Sequence, residues 1–141
     1  FAMLERSHPD FTLFFRNLGG VARDNAGGDG PVRDLCIDRD DCDRWLAQYR
    51  MRLAAEAVPD EQRRAAMAGV NPRFVLRNYL AEATIRQANA ALGDAPGQRQ
   101  FTEVARLAQV LAAPFVEQPA NAQYAALPPD WASHIEVSCS S

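Results

Sequence analysis

Apolar residues recur at Phe11, Phe14, Phe15 and Leu18 behind Asp10, which is the i, i+3, i+4, i+7 spacing of one buried helical stripe with a capping carboxylate in front of it. Gly19-Gly20 end this helix. Residues 19 to 31 are rich in Gly, Asp and Asn, carry no hydrophobic period and predict an exposed loop. Within it, Gly27-Gly28-Asp29-Gly30 reads as a flexible turn and not a phosphate cradle, because no strand precedes it and Pro31 follows. A second helix is predicted from Asp38 or Asp40 through Trp45, Leu46, Tyr49 and Leu53 to Val58-Pro59. Its acidic start and the Arg50 and Arg52 near its end both suit the helix dipole. A third, shorter helix follows from Asp60 to Gly69.

Asn71-Pro72 sets a capping residue before a proline at the first helical position and predicts a helix over 72–92, carrying Leu76, Tyr79, Leu80, Ala83 and Ile85 and closed by Gly93. After an insertion-like stretch, Asp94 to Gln100, the positions Val104, Leu107, Ala108 and Leu111 mark a helix from Phe101 or Thr102 to Ala112, stopped by Pro114. Pro119, Pro128 and Pro129 then predict an irregular tail, with one helical turn at Asp130-Trp131-Ala132 and an extended Ile135-Glu136-Val137. The expected architecture is all-α: a helical domain of about five helices over 1–114, with its exposed loop at 19–31, and an extended, proline-containing tail over 115–141.

Composition narrows the chemistry. The chain has 141 residues, enough for one ordinary domain, with 18 acidic and 15 basic residues and a net charge of −3. Every basic residue is arginine. Without lysine these residues supply no Walker A lysine, no kinase-type strand lysine on the α/β-phosphates and no Schiff-base lysine. Hydrophobic residues at 48% and charged residues at 23% give the balance of a packed domain, not of a disordered tail. The arginines are interspersed with carboxylates, so no nucleic-acid partner is expected. Apolar runs of only a few residues predict no membrane span, and a cytoplasmic bacterial protein is expected. Phe1 at the start suggests an excised piece of a longer protein.

Candidate chemistry is sparse. Asp38, Asp40, Asp41 and Asp43 resemble a calcium loop, but Asp43 stands where the glycine belongs and Tyr49 where the bidentate Glu belongs, so helix capping is the better reading. His8 and His134 lie far apart and at no metal-ligand spacing, as expected of surface or loop residues. No glycine-flanked serine forms a nucleophile elbow. Cys36, Cys42 and Cys139 are odd in number and not spaced as a metal knuckle, so no disulfide framework is expected. Arg73 and Arg77, four residues apart with Asn78 beside them, form either a polar stripe that meets carboxylates or a solvated helix edge. Cys139, third from the end among small polar residues, is either a passive exposed thiol or one open to oxidation and exchange.

Three segments carry a family resemblance: Asn71-Pro72-Arg73-Phe74-Val75-Leu76-Arg77-Asn78-Tyr79-Leu80-Ala81, then Pro128-Pro129-Asp130-Trp131-Ala132, then Val137-Ser138-Cys139-Ser140-Ser141. Together they resemble the C-terminal portion of the selenoprotein O family, called YdiU in bacteria. Asp10-Phe11-Thr12 with Phe15-Arg16, and Trp45-Leu46 through Tyr49-Arg50, add to it. The 19–31 loop and the Asp94 to Gln100 stretch depart from the family pattern. The resemblance implies a kinase-like parent enzyme that transfers AMP from ATP to Ser, Thr or Tyr hydroxyls of protein substrates with magnesium or manganese. It further implies that catalytic, nucleotide-binding and metal-binding residues belong to a kinase-like core preceding this region, so that none falls here. Arg73, Arg77 and Asn78 become candidate contacts to that core. Cys139 matches a position held by selenocysteine in some animal members, which implies a redox role such as a disulfide to a cysteine of the core. The alternative is a free-standing helical module that binds another protein without catalysis.

Overall fold

The computed structural model describes residues 2–93 and 100–134. Cys139, the predicted extended segment Ile135 to Val137 and residues 94–99 lie outside the described residues, as does the side chain of His134. Among the described residues the fold is all-α: α1 (Ala2–Ser7), α2 (Phe11–Leu18), α3 (Gly30–Arg33), α4 (Arg39–Glu56), α5 (Asp60–Val70), α6 (Asn78–Leu92) and α7 (Thr102–Ala112), followed by 3-10 turns at Pro119–Ala125 and Asp130–His134. The short α1 and α3 and the first 3-10 turn have no counterpart in the hydropathy pattern, being too brief to show a period. The chain divides into two compact units, Phe1–Arg73 and Phe74–Ser141.

In the first unit Asp10 and Asp38 cap as predicted, whereas Asp60 is the first residue of α5, behind an N-cap at Pro59 that makes no side-chain capping bond. Asp10 Oδ1 accepts from the Leu13 backbone N–H at 2.9 Å and opens α2, and Asp38 Oδ1 accepts from the Asp41 N–H at 2.9 Å and opens α4. Of the acidic run, Asp38 caps the helix, Asp41 and Asp43 form ion pairs, and Asp40 stands in the first turn of α4. Asp41 takes both Nε and Nη2 of Arg6, at 3.0 and 2.6 Å, and these bonds hold its carboxyl below the usual carboxylate range. Asp43 receives the Arg33 fork at 2.6 and 3.0 Å. Met3, Leu4, Phe14, Leu18, Val21, Val32, Cys36, Cys42 and Leu46 form the core, so α1 and α3 are held by the apolar residues they place there.

The 19–31 loop corrects the expectation of free exposure. Val21 is fully buried, Asp29 is buried, and the last residues turn into α3. Arginine forks bind the loop's backbone. Arg50 donates to the carbonyls of Ala22 (3.1 Å) and Asn25 (3.0 Å) and to the carboxylate of Asp29, while buried Arg63 donates to the carbonyls of Gly19 (3.5 Å) and Val21. Arg23 N–H adds a bond to Asp60 Oδ2 at 3.0 Å. A carbon added at Gly28 would collide with the Gly20 carbonyl oxygen, so only glycine allows the two ends of the loop to approach this closely.

The helix predicted over 72–92 begins six residues late, at Asn78. Asn71 does cap a helix, but the preceding one: it is the C-cap of α5, and its Nδ2 donates to Met67 O at 2.9 Å. Arg16 clasps the same end, donating to the carbonyls of Ala68 (2.8 Å) and Asn71 (2.9 Å). Residues 72–77 are non-helical, which lets Phe74 bury its ring to 2% exposure while its N–H donates to Pro114 O at 3.1 Å. Leu76, expected on the apolar face, and Ile85, expected towards its edge, are more than half exposed.

The second unit is built on Phe74, Leu80, Leu107, Val110, Tyr124 and Ala125. Two of these come from the segment after 114, which the hydropathy pattern set apart as a tail. It packs because Gln118 Nε2 satisfies the carbonyls of Val110, in the last turn of α7, and of its C-cap Ala113, both at 3.1 Å, and turns the chain back onto the helix. Buried Tyr124 completes this by donating its hydroxyl to Glu103 Oε1 at 2.5 Å, and burial, reinforced by that bond, pushes the phenol up from its ordinary value. Tyr124→Phe is expected to cost about 1–2 kcal/mol, the loss of one hydrogen bond to a carboxyl group. Urea unfolding followed by Trp131 fluorescence checks this, and an unchanged midpoint would refute it.

Candidate functional site

Two of the three resemblance segments, some 50 residues apart in sequence, meet in the second unit. Arg77 is the N-cap of α6 in an extended conformation (φ −86°, ψ 148°), and its carbonyl accepts from the N–H groups of Leu80 (3.0 Å) and Ala81 (3.1 Å). Asn78 opens the helix and is exposed; Tyr79 is half-buried. On the other side, the Asp130–His134 turn is started by an Ala132 N–H to Pro129 O bond of 2.8 Å. The rings of Tyr79 and Trp131 meet edge to face, 6.2 Å between centroids and 89° between planes. Arg77, Asn78, Tyr79, Pro128 and Ala132 line an open cleft of about 300 Å³, with Trp131, 54% exposed, beside it.

The lining decides what the cleft can do. A guanidinium, an amide and aromatic and proline faces are recognition groups, and none of the five lining residues is a carboxylate, imidazole or thiol for acid–base or nucleophilic work. The expected stripe of Arg73 and Arg77 on one helix face does not form, because Arg73 lies in the non-helical connection and Arg77 at the cap. Arg73 is half-buried and belongs to the first unit, while Arg77 and Asn78 belong to the second.

A second cleft, in the first unit, has a volume of about 380 Å³ and is lined by Leu4, Phe15, Leu18, Trp45, Gln48, Tyr49 and Arg52. Trp45 and Tyr49 stack 11° from parallel at 5.4 Å, and Phe14 and Phe15 extend the cluster. Of the residues through which the sequence ran this helix, Leu46 and Leu53 are buried together with Cys42, and Trp45 and Tyr49 are their half-buried shoulder. Two ring-bearing residues at i, i+4 beside a buried leucine were the available signal. His8 is an exposed loop residue, as expected. Among the described residues no three His, Cys, Asp or Glu side chains converge as a metal-binding set, and no helix is long and apolar enough to cross a membrane.

No protein-family model matches the chain. Individual relatives do. The chain is 56% identical over 139 residues, 99% of its length, to the protein nucleotidyltransferase YdiU of Burkholderia pseudomallei. The counterparts from Burkholderia thailandensis and Burkholderia ambifaria, which carry the same name, are each 54% identical over 139 and 138 residues. Over its whole length the chain is similar to the C-terminal portion of these YdiU proteins. It spans about a quarter of the length of the curated relatives it matches. The matched span includes Arg77 to Tyr79 and Pro128 to Ala132, which in this chain share one cleft.

Proposed function

We propose that this chain is the C-terminal helical part, structural or regulatory, of a protein adenylyltransferase that moves AMP from ATP onto Ser, Thr or Tyr hydroxyls of other proteins. The catalytic residues lie outside these 141. The observation that carries the reading is the 56% identity, over 99% of the chain, to a quarter-length span of a protein named for nucleotidyl transfer to proteins. Two features agree with it. The chain has no lysine for nucleotide phosphates, and the cleft at Arg77 is lined by recognition groups and not by a catalytic set. ATP and magnesium or manganese belong, in this reading, to the kinase-like core of the parent chain, in the bacterial cytoplasm. Arg77 and Asn78 contact that core, and Arg73 assists from the first unit.

The test uses the full-length parent protein carrying Arg77→Ala with Asn78→Ala. AMP incorporation into a protein acceptor is expected to fall about tenfold, the size of one lost contact of about 1.4 kcal/mol, with an unchanged unfolding midpoint. Unchanged incorporation would refute the contact. Labelled AMP transferred by the 141-residue chain alone, given ATP and magnesium, would refute the placement of catalysis outside it.

A further inference from the structure

Two thiols that the adenylyltransferase reading leaves unused lie together inside the first unit. Cys36 sits on the connection between α3 and α4, and Cys42 in the first turn of α4. Both belong to the buried core; Cys36 is 7% exposed and Cys42 fully buried. Cys36 Sγ donates to Val32 O at 3.6 Å, and Cys42 packs in the same core cluster as Cys36. Burial, aided by the Cys36 thiol, pushes the Cys42 thiol up to about 12, so at neutral pH it is protonated and inert. The residues between them include Ile37, 82% exposed, and Asp38, whose side chain caps α4. The more exposed thiol therefore adjoins a solvent-facing corner, and the fully buried one lies in the same core cluster.

We propose that Cys36 and Cys42 are a dithiol pair that closes to a disulfide under a peroxide-class oxidant. The more accessible Cys36 reacts first: its sulfur, having lost its proton, attacks a peroxide oxygen. The O–O bond breaks, and Cys36 is left as a sulfenic acid with release of hydroxide, which takes up that proton as water. The Cys42 sulfur then gives up its proton and attacks the Cys36 sulfur; the S–O bond breaks and a second water leaves. Two thiols lose one electron each, and one peroxide is reduced to two waters. The weak acidity of Cys42 keeps the pair reduced at rest, and closure waits on opening of the first turn of α4.

The chain has no lysine, so trypsin cuts only at arginine and separates the two cysteines into the peptides Asp34–Arg39 and Asp40–Arg44. The intact protein, in a Cys139→Ser background and with the native enzyme as control, is treated with hydrogen peroxide, alkylated and digested without reductant. The expected product is these two peptides joined, two hydrogens lighter than their sum. Asp38→Ala, which removes the cap of α4, is expected to speed the joining severalfold. Cys36 found as sulfinic or sulfonic acid while Cys42 is still alkylated would overturn the proposal. So would linkage of either thiol to Cys139 in the native enzyme in place of the pair, or no joined peptide even in Asp38→Ala.

Discussion

Phe14→Ala is expected to destabilise the first unit by about 3–5 kcal/mol, the range for removing a fully buried aromatic ring and leaving a cavity. Phe14 has no exposed surface. Its ring meets Phe15 at 5.4 Å and 82°, and Trp45 at 5.5 Å and 62°, so the substitution removes two edge-to-face contacts as well as apolar burial. The loss is comparable to the whole stability of many small units, and a largely unfolded first unit is the expected state at 37 °C. The chain carries one tryptophan in each unit, Trp45 and Trp131. Denaturation of the Trp131→Phe background therefore reports the first unit through Trp45. A shift below about 1 kcal/mol would mean that neighbouring side chains refill the site.

Arg63→Met has the second largest expected effect, about 2–3 kcal/mol, although methionine nearly matches the length of the side chain. The loss is one of donors. Buried Arg63 serves the Val21 carbonyl, the Gly19 carbonyl at 3.5 Å, Asp60 Oδ1 at 3.0 Å and Met67 Sδ at 3.7 Å, and the variant leaves the carbonyls buried and unserved. Arg63→Lys is expected to recover little, since an ammonium lacks the planar fork that reaches several acceptors at once. The pH dependence separates this account from simple loss of packing. The Arg23 N–H and then the Arg63 guanidinium hold the Asp60 carboxyl below its ordinary value. Its stabilising contribution is present above the unfolded value, near pH 4, and is lost as pH falls through the lower folded value. Arg63→Met should flatten the acid limb of stability against pH, and an unchanged limb would show that Arg23 alone sets it.

What the sequence disclosed follows the range of the interactions involved. Helices α2 and α7 span the residues the pattern predicts, because an apolar period and the residues that bound it are local, although in α7 the buried face is Leu107 with Val110 and leaves Val104 and Ala108 exposed. The calcium reading could be rejected for the same reason: the disqualifying Asp43 and Tyr49 lie within the twelve-residue window itself. Asn71-Pro72 misled because both residues suit two roles. Proline fits the first turn of a helix and an extended connection equally, and an asparagine amide can close the helix behind it as well as open one ahead. The choice was settled by Phe74, whose burial and bond to Pro114 span 40 residues of sequence. The candidate cleft was half legible: both of its segments stood out, but not that Tyr79 and Trp131 bring them together. The loop was misjudged because its fixings, from Arg50 and Arg63, are side chain to backbone and come from two helices further along the chain.

The close approach of Gly28 to Gly20 has a consequence for how length can vary in this region. The loop is cinched at its neck, while its tip, Asp24 to Gly27, is exposed. Extra residues spliced into the tip would bulge into solvent and leave the neck as it is. One residue added at Val21 or Asp29 would pull a buried side chain out of register with the arginine that grips it. Homologous chains of different length here should therefore differ at the tip, and an epitope tag placed between Asn25 and Gly27 should leave folding intact where the same tag three residues to either side does not.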